Sequence, residues 1–221
     1  MKVLEKKILM VSALLLAAPS LFAHSINYAL ENAPAKDVVW FYLKLGFTHI
    51  IPAGADHILF VIGLCLLSTK VKTILWQATA FTIAHSVTLA LSMKNIVVAP
   101  SSVVEPVIAL SILFVAIENM LLSELKPWRI LLVFLFGLIH GMGFASSLNE
   151  IGLPPGKFYT SIIAFNAGVE LGQVAIILAM FSLIIVPFRE KNWYRKGIVY
   201  TMSSAIAVTA LYWTVERVFF T

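Results

Sequence analysis

The stretch GFTHIIPAGADHILFVIGLCLLS, residues 46–68, is apolar over the length of a membrane-crossing helix and yet carries His49, Asp56 and His57. An α-helix needs about 20 apolar residues to cross the hydrocarbon core, and ionisable groups inside such a run are costly enough to mark a functional site. Pro52 and Gly54 separate the two histidines, so the helix is expected to break there and to fold the 46–54 stretch back towards Asp56.

The rest of the chain has the same character. Of its 221 residues 60% are hydrophobic and 12% charged, about half the charged fraction of a soluble domain. Further apolar runs fall near 73–93, 103–122, 130–148, 158–187 and 198–220. They are continuous rather than alternating, which disfavours a transmembrane barrel. The expected fold is all-α: a polytopic transmembrane helix bundle of about six mature spans. Ahead of it, Lys2, Lys6 and Lys7 precede an apolar run from Ile8 to Phe22 that ends at Ala23, the pattern of a signal peptide over 1–23. Residues 24–221 then form a single transmembrane domain.

The net charge of +5 does not point to nucleic acid, because the basic residues sit in alternate connections: Lys70 and Lys72, Lys126 and Arg129, then Arg189, Lys191, Arg195 and Lys196. Cationic loops stay on the cytoplasmic side, which leaves both mature termini outside. Cys65 is the only cysteine, so intrachain disulfides and thiolate clusters are excluded.

Counting from the basic loops at about 1.5 Å per residue places His57, His85 and His140 at one depth. Imidazoles with carboxylates suit borderline divalent metals, so these histidines with Asp56 and Glu170 are expected to bind one transition metal, the candidates being nickel, cobalt and zinc. His49 and Glu105 are expected either to ligate or to orient a ligand. Asn166, Glu170 and Gln173 recur at i, i+4, i+7 as one inward polar stripe, and Asn166, Ser86 and Gln173 are expected to support the ligands. Glycines beside His140 should let a neighbouring backbone approach.

Two functions use such a site. A permease would strip a hydrated ion and pass it on. A zinc-dependent intramembrane hydrolase, acting on a lipid or a membrane-embedded amide, would use Glu170 or Glu105 as base with help from Ser86. Self-association into a homo-oligomer is left open by the sequence.

Together with FTIAHSVTLALS (81–92), VVEPVIALSILFVAIEN (103–119), FGLIHGMGFASSL (136–148) and FNAGVELGQ (165–173), the first stretch resembles the HupE/UreJ family of bacterial membrane proteins over nearly all the mature chain. The resemblance implies a nickel or cobalt permease of the bacterial inner (cytoplasmic) membrane, with a periplasmic mature N-terminus and a metalloenzyme maturation system, for hydrogenase or urease, as its partner. It also implies that His49, Asp56 and His57 occupy the family's first-helix metal motif. One departure stands out: six residues separate His49 from Asp56, against the His-x4-Asp-His of the broader nickel/cobalt permeases.

Overall fold

The computed structural model describes residues 29–220; the expected signal segment 1–23 and His24 lie outside them. No strand occurs among the described residues. The helices are α1 (Ala35–Ile50), α2 (Ala55–Leu66), α3 (Val71–Met93), α4 (Ser101–Leu121), α5 (Arg129–Ile151), α6 (Phe158–Met180) and α7 (Tyr200–Phe219). Wider turns at Phe181–Ile185 carry α6 on to Phe188, and Tyr194–Val199 leads directly into α7. Among the described residues five helices are long and apolar enough to cross a membrane, or up to six if the bent pair α1 and α2 counts as one span. The chain is therefore a helical membrane protein, as its hydropathy requires.

The first span differs from the apolar stretch at 46–68. It begins at Ala35, because the residues ahead of Gly46 are themselves helical and amphipathic: Val38 and Tyr42 are buried while Trp40 faces out. Pro52 has no amide hydrogen, so the regular ladder is interrupted after Ile51 N–H donates to the Phe47 carbonyl at 2.9 Å, and Gly54 N–H closes the turn on the Ile50 carbonyl at 3.1 Å. A new helix starts at Ala55, bent 69° from the first. The expected break is thus present, and it turns His49 and His57 towards each other.

Glycines decide which helices touch. A Cβ on Gly46 would strike the Phe165 carbonyl, and one on Gly168 the Leu43 carbonyl, so α1 and α6 meet backbone to backbone. Contacts that advance from Leu43–Gly168 to Ile50–Gly172 show the two helices running parallel. In the same way Gly137 lies against the Phe81 carbonyl and Gly141 against that of His85, closing α5 onto α3. Gly168→Ala should lower stability by about 1–3 kcal/mol, since backbone must move to admit the methyl. Gly143→Ala should cost less, because its contact is the mobile end of Ile108. Thermal melting of the detergent-solubilised variants compares the two, and an unchanged midpoint for Gly168→Ala would contradict the close α1–α6 approach.

The connections α2–α3, α4–α5 and α6–α7 lie together at one end, here termed the basic end. Arg195 bridges two of them by donating to the Leu122 carbonyl at 2.7 Å. At the opposite end Lys94 donates to the Tyr159 hydroxyl at 2.8 Å, and the Lys157 ammonium donates to the carbonyls of Leu30, Glu31 and Ala33. Arg129 does not belong with the loop cations: only 2% exposed, it is paired inside the bundle with Glu118.

Candidate metal centre

Four histidines from four helices meet in the bundle: His49 on the last turn of α1, His57 on the first turn of α2, His85 on α3 and His140 on α5. Ring centroids are 4.8 Å apart for His49 and His57, 5.1 Å for His57 and His140, and 5.9 Å for His57 and His85. One ligand atom from each of His49, His57 and His85 lies within 4.8 Å of the others. Tetrahedral ligands at about 2.0–2.1 Å from an ion sit roughly 3.3 Å apart, so modest side-chain rotation closes the set.

Neighbouring hydrogen bonds fix two tautomers. Asn166 Nδ2 donates to the Ile162 carbonyl, which leaves its Oδ1 to accept from His85 Nδ1 at 3.1 Å. The Ser111 hydroxyl donates to the Ile108 carbonyl at 2.7 Å and so accepts from His140 Nε2 at 3.0 Å. The lone pairs therefore fall on His85 Nε2 and His140 Nδ1. Those two nitrogens, with His49 Nε2 and His57 Nε2, are buried and have no protein partner. Buried acceptors left unpaired are costly, and one divalent cation among His49, His57 and His85 would satisfy three of them together, with the His140 ring 5.1 Å from that of His57, so the residues fit a metal.

A cavity of about 360 Å³ reaches this cluster from the end opposite the basic one, with His49, His57 and His140 at its floor and Asp56, Glu105 and Arg217 at its mouth. Phe144 lies over His49, with ring centroids 3.8 Å apart. On the basic side Phe60 and Phe81 pack against the His140 ring, 5.4 and 5.0 Å away by centroid. The histidines are thus open towards one end and backed by apolar rings towards the other.

The carboxylates are arranged differently from the sequence expectation. Asp56 lies outside the group of converging ligand atoms, held by Arg217 Nη2 at 3.0 and 3.1 Å from its two oxygens. Arg217 also donates to the Glu105 backbone carbonyl at 3.2 Å, tying the last helix across the mouth. Glu170 is not with the histidines at all. It lines a separate apolar groove between α3 and α6, beside Ile83, Ile163 and Ala167, and accepts from the Thr79 and Thr82 hydroxyls. Ser86 lines that same groove and donates to the Thr82 carbonyl, while Gln173 donates to the Thr82 hydroxyl at 3.0 Å. Of the expected supporting residues only Asn166 touches a histidine of the cluster. The i, i+4, i+7 stripe suggested an inward carboxylate, but azimuth turns Glu170 away from the histidines, because α6 spends its inward face on the glycine contact with α1.

Glu170 and Ser86 thus open onto a different surface from the histidines, which takes both from the expected hydrolase site and leaves Glu105 as its one base candidate on the cavity. Ser111 and Arg217 are the functional neighbours that residue spacing did not single out. The available signal for Arg217 was a lone cation near the end of the last apolar run, facing an otherwise unpaired Asp56.

No curated protein and no solved structure matches the chain. The family model described as HupE / UreJ protein matches residues 25–217, nearly the whole chain, and the chain belongs to the HupE/UreJ family.

Proposed function

We propose that the chain is a divalent transition-metal permease of the nickel/cobalt type whose binding station is the centre formed by His49, His57, His85 and His140. The observation that carries this is the convergence of buried, unpartnered ring nitrogens of His49, His57 and His85, with that of His140 beside them, next to a cavity open to one end. The family's link to nickel and cobalt transport supports the same reading. Imidazole is a ligand common to nickel, cobalt and zinc, so all three are candidate cargo.

The mouth opposes two carboxylates, Asp56 and Glu105, to one guanidinium, Arg217, and so favours entry of a cation. Asp56 and Glu105 attract the hydrated ion; the imidazoles then replace its waters. Ligating imidazoles must be unprotonated, so metal and protons compete for the station and a proton gradient can drive turnover. With the basic loops on the cytoplasmic side, the mouth and the segment before α1 face the periplasm of a bacterial inner membrane. Release on the other side requires the apolar floor and the Glu118–Arg129 pair beneath it to part.

Flux of nickel, cobalt and zinc into proteoliposomes tests the proposal. Wild-type protein should move at least one of them in a manner that collapses with the pH gradient. His57→Ala should reduce flux more than tenfold through loss of a direct ligand, and Asp56→Asn should slow entry less. Tight metal that neither exchanges nor crosses the membrane in the wild type would overturn transport.

A further inference from the structure

We propose that the cavity between the basic ends of α3 and α5 is a binding site for an anionic phospholipid, with phosphatidylglycerol the best fit. The cavity has a volume of about 450 Å³, and its polar rim is formed by Lys72 and Lys126. Both lysines are exposed and carry charge that the bundle does not use. Arg129 also borders the cavity, but its charge is committed to Glu118. Two helices start here, α3 at Val71 and α5 at Arg129, and neither has a side-chain cap. Uncapped helix N-termini present amide donors and positive dipole ends, which add to the lysines as a field for phosphate.

The walls are apolar and face the bilayer. Trp76 is 57% exposed and Ile130 44%, and Leu125 completes the side where acyl chains would lie. A basic recess between helix ends with an aromatic rim suits a lipid headgroup better than a soluble anion, because the phosphate and the chains are satisfied together. Gln77 supplies the selectivity. It is 3% exposed, borders the cavity, donates its Nε2 to the Thr73 carbonyl at 3.2 Å, and keeps its Oε1 buried with no protein partner, so that a rotation of the amide would present the oxygen to a headgroup. A buried acceptor of this kind matches a headgroup hydroxyl, which the glycerol of phosphatidylglycerol has and the trimethylammonium of phosphatidylcholine lacks. The site stands apart from the metal centre, although α3 and α5 also carry His85 and His140, so its occupant would hold together the two helices that position those ligands.

Native mass spectrometry of the full-length, detergent-purified protein, titrated with phosphatidylglycerol or phosphatidylcholine, tests the assignment. The wild type should take up phosphatidylglycerol at a concentration more than tenfold lower. Lys72→Gln/Lys126→Gln should weaken it by roughly 25-fold, from about fivefold for each lysine near an anionic headgroup. Gln77→Leu should weaken phosphatidylglycerol several-fold and leave phosphatidic acid, which has no glycerol hydroxyl, unchanged. Lys191→Gln/Lys196→Gln, at the same end but outside the cavity, should have no effect. Equal affinity for the two lipids, an equal loss in the Lys191/Lys196 pair, or displacement of phosphatidylglycerol by millimolar glycerol 3-phosphate would overturn it. If the Lys72/Lys126 variant does not fold, the Gln77→Leu and glycerol phosphate arms still decide.

Discussion

Alanine at His49, His57, His85 or His140 should lower the metal occupancy of the purified protein by well over tenfold, from about one divalent transition metal per chain in the wild type. His49, His57 and His85 each supply one of three converging nitrogens, His140 adds an unpartnered nitrogen beside them, and no carboxylate belongs to the converging set. Asn166→Ala and Ser111→Ala should weaken binding about 10–100-fold without removing a ligand, since each frees a histidine to present the wrong tautomer. Glu170→Gln should leave occupancy nearly unchanged, because its carboxylate is spent on Thr79 and Thr82 in another groove. Elemental analysis of the dialysed variants checks all of these. Undiminished metal in a His57→Ala/His85→Ala/His140→Ala triple variant would exclude the centre, and a loss in Glu170→Gln matching that in His57→Ala would restore the mixed His/carboxylate site that spacing alone suggests.

That contrast shows what a sequence of this kind makes legible. Span length and hydropathy are one-dimensional properties, so the helical membrane fold, the break at Pro52 and Gly54, and the common depth of His57, His85 and His140 can be counted along the chain. The glycines flanking His140 gave the close α3–α5 contact for the same reason: a residue without a Cβ marks where a backbone must approach. Azimuth is different, because it depends on which neighbour each helix face meets. The polar stripe Asn166, Glu170, Gln173 is real, but α6 uses Gly168 and Gly172 against α1, and this rotates Glu170 to the groove with α3 while Asn166 alone reaches His85. Pairing across long separations was equally hidden. Asp56 and Arg217 stand 161 positions apart, and the sequence offered Asp56 as a ligand with no sign that the last helix lays a cation against it.

Arg129 gives the other large expected effect. Its Nη1 lies 2.9 Å from Glu118 Oε2 and 3.2 Å from Asn119 Oδ1, while Asn119 Nδ2 donates to the Gly63 carbonyl at 2.8 Å. Arg129, Glu118 and Asn119 are all buried, so the group ties the start of α5 and the end of α4 to the last turn of α2. Arg129→Met leaves the Glu118 carboxylate without its counter-charge in an apolar surround and should cost about 3–5 kcal/mol; Glu118→Met strands the guanidinium and should cost a similar amount. Replacing both removes both desolvation penalties, so Arg129→Met/Glu118→Met should be more stable than either single variant. Chemical denaturation in detergent, followed by helical circular dichroism, measures the three against wild type. Additive losses in the double variant would mean that the two charges are solvated separately and not paired. A double variant that is stable should also separate folding from transport: if the pair closes the basic end beneath the histidines, these vesicles should leak metal without a pH gradient, whereas unaltered flux would place the closure elsewhere.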